Sequence, residues 1–361
     1  MKYEVQDELY MMRCLQLAVM AEGQTSPNPM VGAVVVHDGK IIGEGYHHRA
    51  GEPHAEPNAI ASVRDESLLK EATMYVSLEP CSHWGKTPPC ADLIVRKGLK
   101  KVVIATLDPN PKVAGRGVKI LQDAGIEVVV GVLKEEARWL NRRFMMVQEK
   151  HRPYVILKWA ETADGIIDVC REEKGNGPIK ISNSVTKTLN HQVRVEEDAI
   201  MVATCTALLD DPHLTVTKWT GRNPVRVLLD RALRVPADYR IFDGEARTIV
   251  FCETRDTRHE TRDNVEFVEI DFEKNIVQNI LDELYKRGIM SIIIEGGAKW
   301  LQTVIDSGLW DEARVEHGPH SSKCIMRNVQ STVLSDSEKS TIEEAQNLSQ
   351  KGVKAPKLDG F

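Results

Sequence analysis

The amino-acid sequence predicts an α/β protein built from two consecutive domains. The chain has 361 residues, which is long for one domain and ample for two. Short apolar runs alternate with amphipathic stretches, as in sheets covered by helices. This alternation restarts after His151-Arg152-Pro153. We therefore expect one domain over residues 1–150 and a second over residues 151–361, of which residues 316–350 are atypical.

The composition excludes several classes of protein. Hydrophobic residues make up 42% and charged residues 28% of the chain, which is ordinary for a globular protein. The net charge of −6 gives no sign of a nucleic-acid or membrane surface. No apolar run approaches the roughly 18 residues that a membrane span needs. Seven cysteines, mostly scattered, favour a reducing cytosol over a disulfide framework. We expect a cytoplasmic protein without nucleic-acid or membrane partners.

Each element of the first half follows from local pattern. Apolar positions at helical spacing predict a helix over 7–22 rather than a signal peptide. Asp38-Gly39 between two apolar runs predicts a β-hairpin. The remaining expected elements are strands at 73–80, 101–106 and 127–132 and helices at 54–64, 90–97, 116–124 and 134–150. Strands and helices in alternation predict a three-layer α/β domain.

The second half repeats the same kind of alternation without a fixed internal repeat. Its apolar runs predict strands at 154–160, 199–203, 224–230, 248–252, 265–270 and 291–294. Helices are expected at 274–287 and 298–307. Residues 321–350 are polar and weakly patterned. We interpret them as a poorly packed extension or a long insertion.

The first chemical motif combines His54-Ala55-Glu56 with Pro80-Cys81 and with Cys90 after eight intervening residues. Zinc prefers a tetrahedral shell of nitrogen and thiolate ligands. One imidazole and two thiolates leave a fourth position for water, whose pKa the metal lowers to about 7. His-x-Glu before Pro-Cys is typical of zinc deaminases. We predict one Zn²⁺ per chain, held by His54, Cys81 and Cys90, with Glu56 as the catalytic proton carrier.

Other interpretations of this motif remain open. A purely structural zinc site in a binding protein without turnover would need the same ligands but not Glu56. A deaminase acting on tRNA or a free nucleoside would carry Cys-x-x-Cys and basic patches. Here eight residues separate the two cysteines, six more than in Cys-x-x-Cys, and no basic patch is present.

Several segments together resemble the bifunctional riboflavin biosynthesis family, in which a pyrimidine deaminase is fused to a reductase. They are Asn-Pro-Met-Val-Gly at 28–32, Gly-Glu-Gly-Tyr-His at 43–47, Ala-Gly-Glu-Pro-His-Ala-Glu at 50–56 and Pro-Cys-Ser-His-Trp-Gly-Lys-Thr-Pro-Pro-Cys at 80–90. The last segment is the most specific. The resemblance covers nearly the whole chain and weakens after about residue 314.

This resemblance implies a cytidine-deaminase-like first domain acting on 2,5-diamino-6-(5-phosphoribosylamino)pyrimidin-4-one. A zinc-activated hydroxide would attack the carbon that bears the 2-amino group, and Glu56 would move the proton to the ring and to departing ammonia. The implied substrate contacts are Asn28, His47, His83 and Lys86. An amide suits a pyrimidine edge, and cations suit a ribose phosphate. Asn28 could instead form a turn beside Pro29, and the two basic residues could lie on a solvated loop.

For the second domain the resemblance implies a dihydrofolate-reductase-like fold and reduction of the ribosyl group to ribityl by NADPH. The implied substrate contacts are Lys158, Arg194, Asp210, Leu214 and Glu295. The implied cofactor contacts are Ala160, Lys180, Thr206, Asp210, Gly296 and Gly297. A glycine pair between a strand and a helix lets backbone N–H groups approach a pyrophosphate. The Gly-x-Gly-x-x-Gly fingerprint of a standard dinucleotide-binding domain is missing.

Some reductase positions allow another interpretation. Asp210 could cap a loop, and Gly296-Gly297 could form only a tight turn. Lys158 on a strand would be costly to bury without a partner, which favours a phosphate or sugar contact. Ala203 stands where the family usually has glycine, and Thr217 where arginine is common. The alternative function is therefore a deaminase with an impaired or structural reductase domain. The resemblance also implies a homo-oligomer, either a dimer or a tetramer.

Overall fold

The computed structural model describes residues 5–84, 88–110, 114–169, 177–254, 263–318 and 331–333. It divides into two compact units, one within residues 1–150 and the other within residues 151–352. In the described part of the chain, every helix is too short or too polar to span a lipid bilayer.

The first unit alternates helices and strands along the chain. In order they are α1 (Val5–Val19), β1 (Gly32–His37), β2 (Lys40–Tyr46), α2 (Ala55–Ala61), β3 (Thr73–Val76), α3 (Cys90–Lys97), β4 (Lys101–Ile104), α4 (Arg116–Asp123), β5 (Glu127–Val130), α5 (Lys134–Leu140) and α6 (Arg142–Lys150), with a short 3₁₀ helix at Glu66–Glu71. The strands form one sheet in the order β2-β1-β3-β4-β5. β1 runs antiparallel to β2 and β3, whereas β3, β4 and β5 are parallel.

Glycines show that helices cover both faces of this sheet. A Cβ on Gly32 would lie 2.0 Å from the Cys14 carbonyl oxygen of α1, and a Cβ on Gly45 would lie 2.3 Å from the Ala59 backbone nitrogen of α2. Gly45 pairs with Ala33, the neighbour of Gly32 in β1. Because successive residues of a strand face opposite sides, α1 and α2 pack on opposite faces. The predicted three-layer α/β architecture is confirmed.

Two predictions in the first unit differ from the structure. The single helix expected over 134–150 is broken at Asn141, whose buried side chain bonds to the backbone of Met30. The strand expected to reach residue 80 ends at Val76. Beyond it, the Ser77 hydroxyl accepts a hydrogen bond from the Gly32 N–H at 3.1 Å, so side-chain bonds replace part of the regular ladder.

The second unit is built around a seven-stranded sheet. Its elements are β6 (Tyr154–Glu161), β7 (Ile166–Val169), α7 (Ser184–Glu196), β8 (Ala199–Ala203), α8 (Thr204–Asp210), β9 (Val225–Leu229), β10 (Thr248–Cys252), β11 (Val265–Glu269), α9 (Ile276–Lys286), β12 (Ser291–Glu295), α10 (Ala298–Ser307), β13 (Glu312–His317) and β14 (Ser331–Val333), with a 3₁₀ turn at Arg240–Phe242. The sheet order is β11-β10-β9-β8-β12-β6-β13. β7 pairs with β14 in a separate antiparallel ribbon.

All pairs of the large sheet are parallel. Met201 and Ile294 belong to one buried cluster, and their neighbours Ile200 and Ile293 belong to another. The sheet is therefore buried on both faces, as parallel sheets usually are. The carboxyl ends of parallel strands meet at one edge, which is where ligands bind in open α/β sheets. The α/β class expected for this half is confirmed.

The sequence did not predict β7, α7, α8, β13 or β14. α7 has only one buried residue, Val195, so its apolar pattern is faint. β13 is half-buried along most of its length and carries charged residues, yet it continues past Val315 to His317 beside β6. Most of the 321–350 segment lies outside the described residues.

Candidate zinc centre and reductase site

Three predicted zinc ligands meet in the first unit. His54 lies directly before α2, Cys90 is the first residue of α3, and Cys81 lies in the segment after β3. The His54 Nδ1 atom is 3.6 Å from the Cys81 sulfur and 3.4 Å from the Cys90 sulfur. Typical Zn–N and Zn–S bonds in tetrahedral geometry place nitrogen and sulfur about 3.5 Å apart. The arrangement therefore fits a zinc ion.

The electrostatics of the two thiols also fit a cation. Hydrogen bonds from the Cys90 thiol and from His54 lower the pKa of Cys81 to about 4. The neighbouring Cys81 sulfur, together with burial, raises the pKa of Cys90. Ionisation of the Cys81 thiol therefore disfavours ionisation of the Cys90 thiol beside it. A bound Zn²⁺ removes this conflict because it stabilises coordinating thiolates.

Glu56 lies in the first turn of α2 and is only 3% exposed. Burial raises the pKa of this carboxyl to about 7, and the nearby Cys81 charge contributes in the same direction. A carboxyl with such a pKa can both accept and release a proton near neutral pH, which suits general acid–base chemistry.

A cavity of about 260 Å³ opens beside these residues, lined by Asn28, Pro29, Val31, His47, His54, Glu56, Leu78, Glu79, Cys81, His83, Asp108, Asn110, Phe144 and Gln148. Three of the four predicted deaminase substrate residues therefore lie at one cavity with Glu56 and with two of the predicted zinc ligands, His54 and Cys81. His83 is exposed. Lys86 lies outside the described residues.

The buried His47 is held in a defined state. Its Nδ1 is 3.1 Å from the Pro53 carbonyl oxygen, and its Nε2 is 3.2 Å from the Asn28 side-chain nitrogen. The carbonyl can only accept, so Nδ1 carries the proton and Nε2 accepts from the Asn28 amide. Burial lowers the pKa of His47, which favours the neutral ring. Asn28 is therefore oriented by His47.

Sequence reasoning gave no site role to several cavity residues, among them Glu79, Asp108, Asn110, Phe144 and Gln148. Phe144 and Gln148 come from α6 and carry no motif. Asp108 and Asn110 follow β4 and could have been found from that position, because polar residues after a buried strand mark the sheet edge. Glu79 precedes the Pro80-Cys81 motif and was assigned to the strand.

Glu79 organises the far wall of the cavity. Its buried carboxylate accepts hydrogen bonds from the backbone N–H groups of Asp108, Gly115, Gly117 and Val118, at 3.2, 2.9, 2.9 and 3.3 Å. A Cβ on Gly117 would lie 2.2 Å from the Pro80 carbonyl oxygen. One side chain thus ties the start of α4 and the residues after β4 to the zinc loop.

In the second unit, Lys158, Arg194 and Glu295 form one charged group. Lys158 Nζ is 3.3 Å from one Glu295 carboxylate oxygen, and Arg194 Nη2 is 3.5 Å from the other. Burial opposes ionisation of Glu295, but the two cations outweigh it and hold the pKa below its usual value. The half-buried Lys158 therefore has a carboxylate partner within the protein, which offsets part of the cost of its burial.

The glycine pair lies next to Thr206. The Gly297 N–H donates to the Thr206 hydroxyl at 3.0 Å, and Gly296 has a φ of +52°. Thr206 follows β8, and the glycines follow the adjacent strand β12. This N–H group therefore already has a partner within the protein.

The other predicted reductase residues differ in their exposure to solvent. Leu214 is buried, Ala160 is half-buried on β6, and Lys180 is exposed before α7. The Asp210 carbonyl oxygen accepts from Arg240 Nη2 at 3.2 Å. Within the described ranges, no hydrogen bond or ion pair joins Lys180 to the Glu295 group.

The two departures from the family pattern are also located. Ala203 ends β8 and is half-buried. Thr217 is exposed, and its N–H donates to His191 Nδ1 at 3.2 Å.

Comparison with known proteins covers both units. Residues 4–106 match the family model of the cytidine and deoxycytidylate deaminase zinc-binding region, and residues 153–321 match the RibD C-terminal domain. Riboflavin biosynthesis protein RibD of Aquifex aeolicus is 42% identical over 316 residues, covering 87% of each chain. The Escherichia coli protein of the same name is 38% identical over 332 residues, covering 87% of this chain and 88% of its own.

Two solved structures are similar over most of their length. One is a diaminohydroxyphosphoribosylaminopyrimidine deaminase/5-amino-6-(5-phosphoribosylamino)uracil reductase from Thermotoga maritima, 42% identical with a TM-score of 0.78 over 86% of each chain. The other is Acinetobacter baumannii RibD, 34% identical with a TM-score of 0.80 over 92% of this chain and 91% of that one. Because the matches span both halves, a merely structural second domain is not favoured. The chain belongs to the RibD family of riboflavin biosynthesis proteins, with a deaminase and a reductase domain.

Proposed function

We propose that the first unit releases ammonia from 2,5-diamino-6-(5-phosphoribosylamino)pyrimidin-4-one and that the second reduces the ribosyl group of the product with NADPH. The observation that carries this proposal is the convergence of His54, Cys81 and Cys90 on one point beside the buried Glu56. Membership of the RibD family supports the substrate assignment, because the similar Thermotoga maritima protein is described as this deaminase and reductase.

His54, Cys81 and Cys90 would hold one zinc ion per chain, which when bound supplies Lewis-acid activation of water. Glu56 takes a proton from the attacking water and passes it to the ring, and then takes the proton of the hydroxyl added to carbon and passes it to the departing amine as the carbonyl forms. One C–O bond forms, one C–N bond breaks, and ammonia leaves with the transferred proton. Burial raises the pKa of Glu56, which suits a carboxyl that must accept and then release a proton.

The remaining deaminase residues would orient the substrate. The hydrogen bond between Asn28 and His47 fixes the Asn28 amide, which can donate to and accept from a pyrimidine edge. His83 lines the cavity from an exposed position, which suits contact with the ribose phosphate. Lys86 would supply a cation for the same phosphate.

In the second unit, bound NADPH would supply the hydride that reduces the opened ribosyl group. Lys158 and Arg194 flank the single carboxylate of Glu295, so the group carries an excess positive charge that suits a phosphorylated substrate. Asp210 and Leu214 would complete the substrate contacts. Thr206 with Gly296 and Gly297 would form the cofactor turn, and Ala160, Lys180 and Asp210 would add further cofactor contacts.

The decisive experiment supplies the diaminopyrimidine phosphate and NADPH to zinc-loaded protein and follows ammonia and NADPH absorbance separately. Wild type should release ammonia and oxidise NADPH. Glu56→Gln should keep zinc and still oxidise NADPH when given 5-amino-6-(5-phosphoribosylamino)uracil, but ammonia release should fall by about 10²–10⁴-fold. Glu71→Gln, an exposed glutamate paired with Lys100, is the matched control and should behave as wild type.

Each failure has its own meaning. Ammonia release without NADPH oxidation would reject the bifunctional proposal and leave the deaminase. Full activity in Glu56→Gln would reject its proton role. We also propose a homo-oligomer, a dimer or tetramer as the family resemblance implies, and a mass in solution equal to one chain would reject it.

A further inference from the structure

Asn141 makes an unusual pair of contacts between α5 and α6. Its side chain is buried, with 3% of the residue exposed. The side-chain oxygen accepts from the Met30 N–H at 2.8 Å, and the side-chain nitrogen donates to the Met30 carbonyl oxygen at 2.8 Å. One amide thus satisfies both backbone polar groups of a residue that is 111 positions away.

The Met30 backbone is connected to both residues expected to orient the substrate, Asn28 and His47. Asn28 is two residues before Met30. Val31 directly follows it, and the Val31 carbonyl oxygen accepts from the His47 N–H at 2.9 Å. The side chains of Asn28 and His47 are themselves in contact at 3.2 Å. A displacement of Met30 would therefore act on both members of this pair.

The rest of this segment is attached by other bonds, including the one from the His47 N–H to the Val31 carbonyl oxygen. The Asn28 N–H donates to the Thr25 carbonyl oxygen at 2.7 Å, and the Gly32 N–H donates to Ser77 at 3.1 Å. Between these two points, Pro29 has no N–H to donate. Asn141 adds the two bonds that hold the Met30 backbone between these points. Phe144, three residues further along the chain in α6, lines the cavity itself.

We propose that Asn141 is a positioning residue of the deaminase site, which sets the orientation of Asn28 against His47 by fixing the Met30 backbone. The inference rests on the proposed deamination and on the substrate contact of Asn28. Asn141 does not line the cavity, so it acts on the substrate only through other residues. Misplacement of a positioning group by about 1 Å can cost about 10²-fold in rate.

A double-mutant cycle tests this inference with zinc-loaded, full-length protein. Asn141→Ala and Asn28→Ala should each lower kcat/KM for ammonia release by about 10- to 100-fold, mainly through KM. The double variant should be scarcely worse than Asn28→Ala alone, because coupled sites are not additive. The zinc content and the rate at which NADPH reduces the deaminated substrate should stay as in wild type.

The control separates positioning from general loss of stability. Leu69 is 1% exposed in the 3₁₀ helix of the same unit, and Leu69→Ala should combine with Asn28→Ala by simple multiplication of their effects. If the effects of Asn141→Ala and Asn28→Ala also multiply, or if Asn141→Ala leaves KM unchanged, the inference is wrong. If Asn141→Ala does not fold, Asn141→Asp retains the bond from the Met30 N–H and serves in the same cycle. Wild type that releases no ammonia would instead reject the proposed function.

Discussion

The two candidate sites are assembled from the sequence in different ways. The zinc ligands and Glu56 come from residues 54–90 and lie at or beside the starts of helices. The charged group of the second unit joins positions as far apart as 158 and 295. It exists because β6 and β12 pair with Lys158 and Glu295 in register. The first site is therefore a local motif, whereas the second is a property of the assembled sheet.

This difference predicts that the two activities respond separately to substitution. The largest effect should come from Cys81→Ala, which removes one of two thiolates and should abolish both zinc binding and ammonia release. The NADPH-dependent reduction of the deaminated substrate should continue. Metal analysis and the two activity assays check this. The control is Cys205→Ala, at an exposed cysteine, which should keep its zinc. Parallel loss of both activities would contradict the separation.

A smaller effect is expected from Glu295→Gln. The variant leaves the Lys158 and Arg194 charges without their carboxylate partner. Breaking a buried pair costs about 3–5 kcal/mol, and the lower end applies because these side chains are 14–19% exposed. We expect NADPH oxidation to fall by about 10²-fold and the melting temperature of the second unit to drop, with ammonia release unchanged. Glu269→Gln, at the exposed end of β11, should change neither quantity. Wild-type reduction by Glu295→Gln would show that the ion group has no part in the site.

The smallest effect is expected from Thr206→Val, which keeps the shape of the side chain but removes the acceptor of the Gly297 N–H. An unsatisfied buried donor costs about 1–3 kcal/mol, and the lower part of this range applies to the part-buried Gly297 N–H, so KM for NADPH should rise by roughly tenfold. Initial rates at varied NADPH measure this. Thr303→Val, a hydroxyl loss on the exposed side of α10, provides the comparison. An unchanged KM would separate the Gly296-Gly297 turn from cofactor binding.

The sequence predicted those parts of the molecule whose determinants are local. The Asp38-Gly39 hairpin and the helix that starts at Cys90 follow from neighbouring residues. The break at Asn141 could not be predicted, because its cause is the backbone of Met30 in another part of the chain. β13 was not predicted for a similar reason, because its charged residues give no apolar alternation and its position is set by pairing with β6.

The same distinction applies to the sites. His54, Cys81 and Cys90 were identified as a set because zinc restricts the ligand types, and the structure places them together. The partnership of Lys158 with Glu295 was not foreseen, because parallel register between distant strands is not visible in either segment alone. Phe144 and Gln148 were missed since an apolar or amide side chain on a helix carries no chemical signature.

The four bonds accepted by Glu79 have a consequence for variation of this site. The loop bearing Cys81 and the segment bearing Asp108 and Asn110 share one anchor. Neither wall can be exchanged independently, because a foreign loop without a carboxylate at this position would leave buried N–H groups of its neighbour unpaired. Redesign of the cavity for another base should therefore transplant residues 79–90 and 108–118 as one unit.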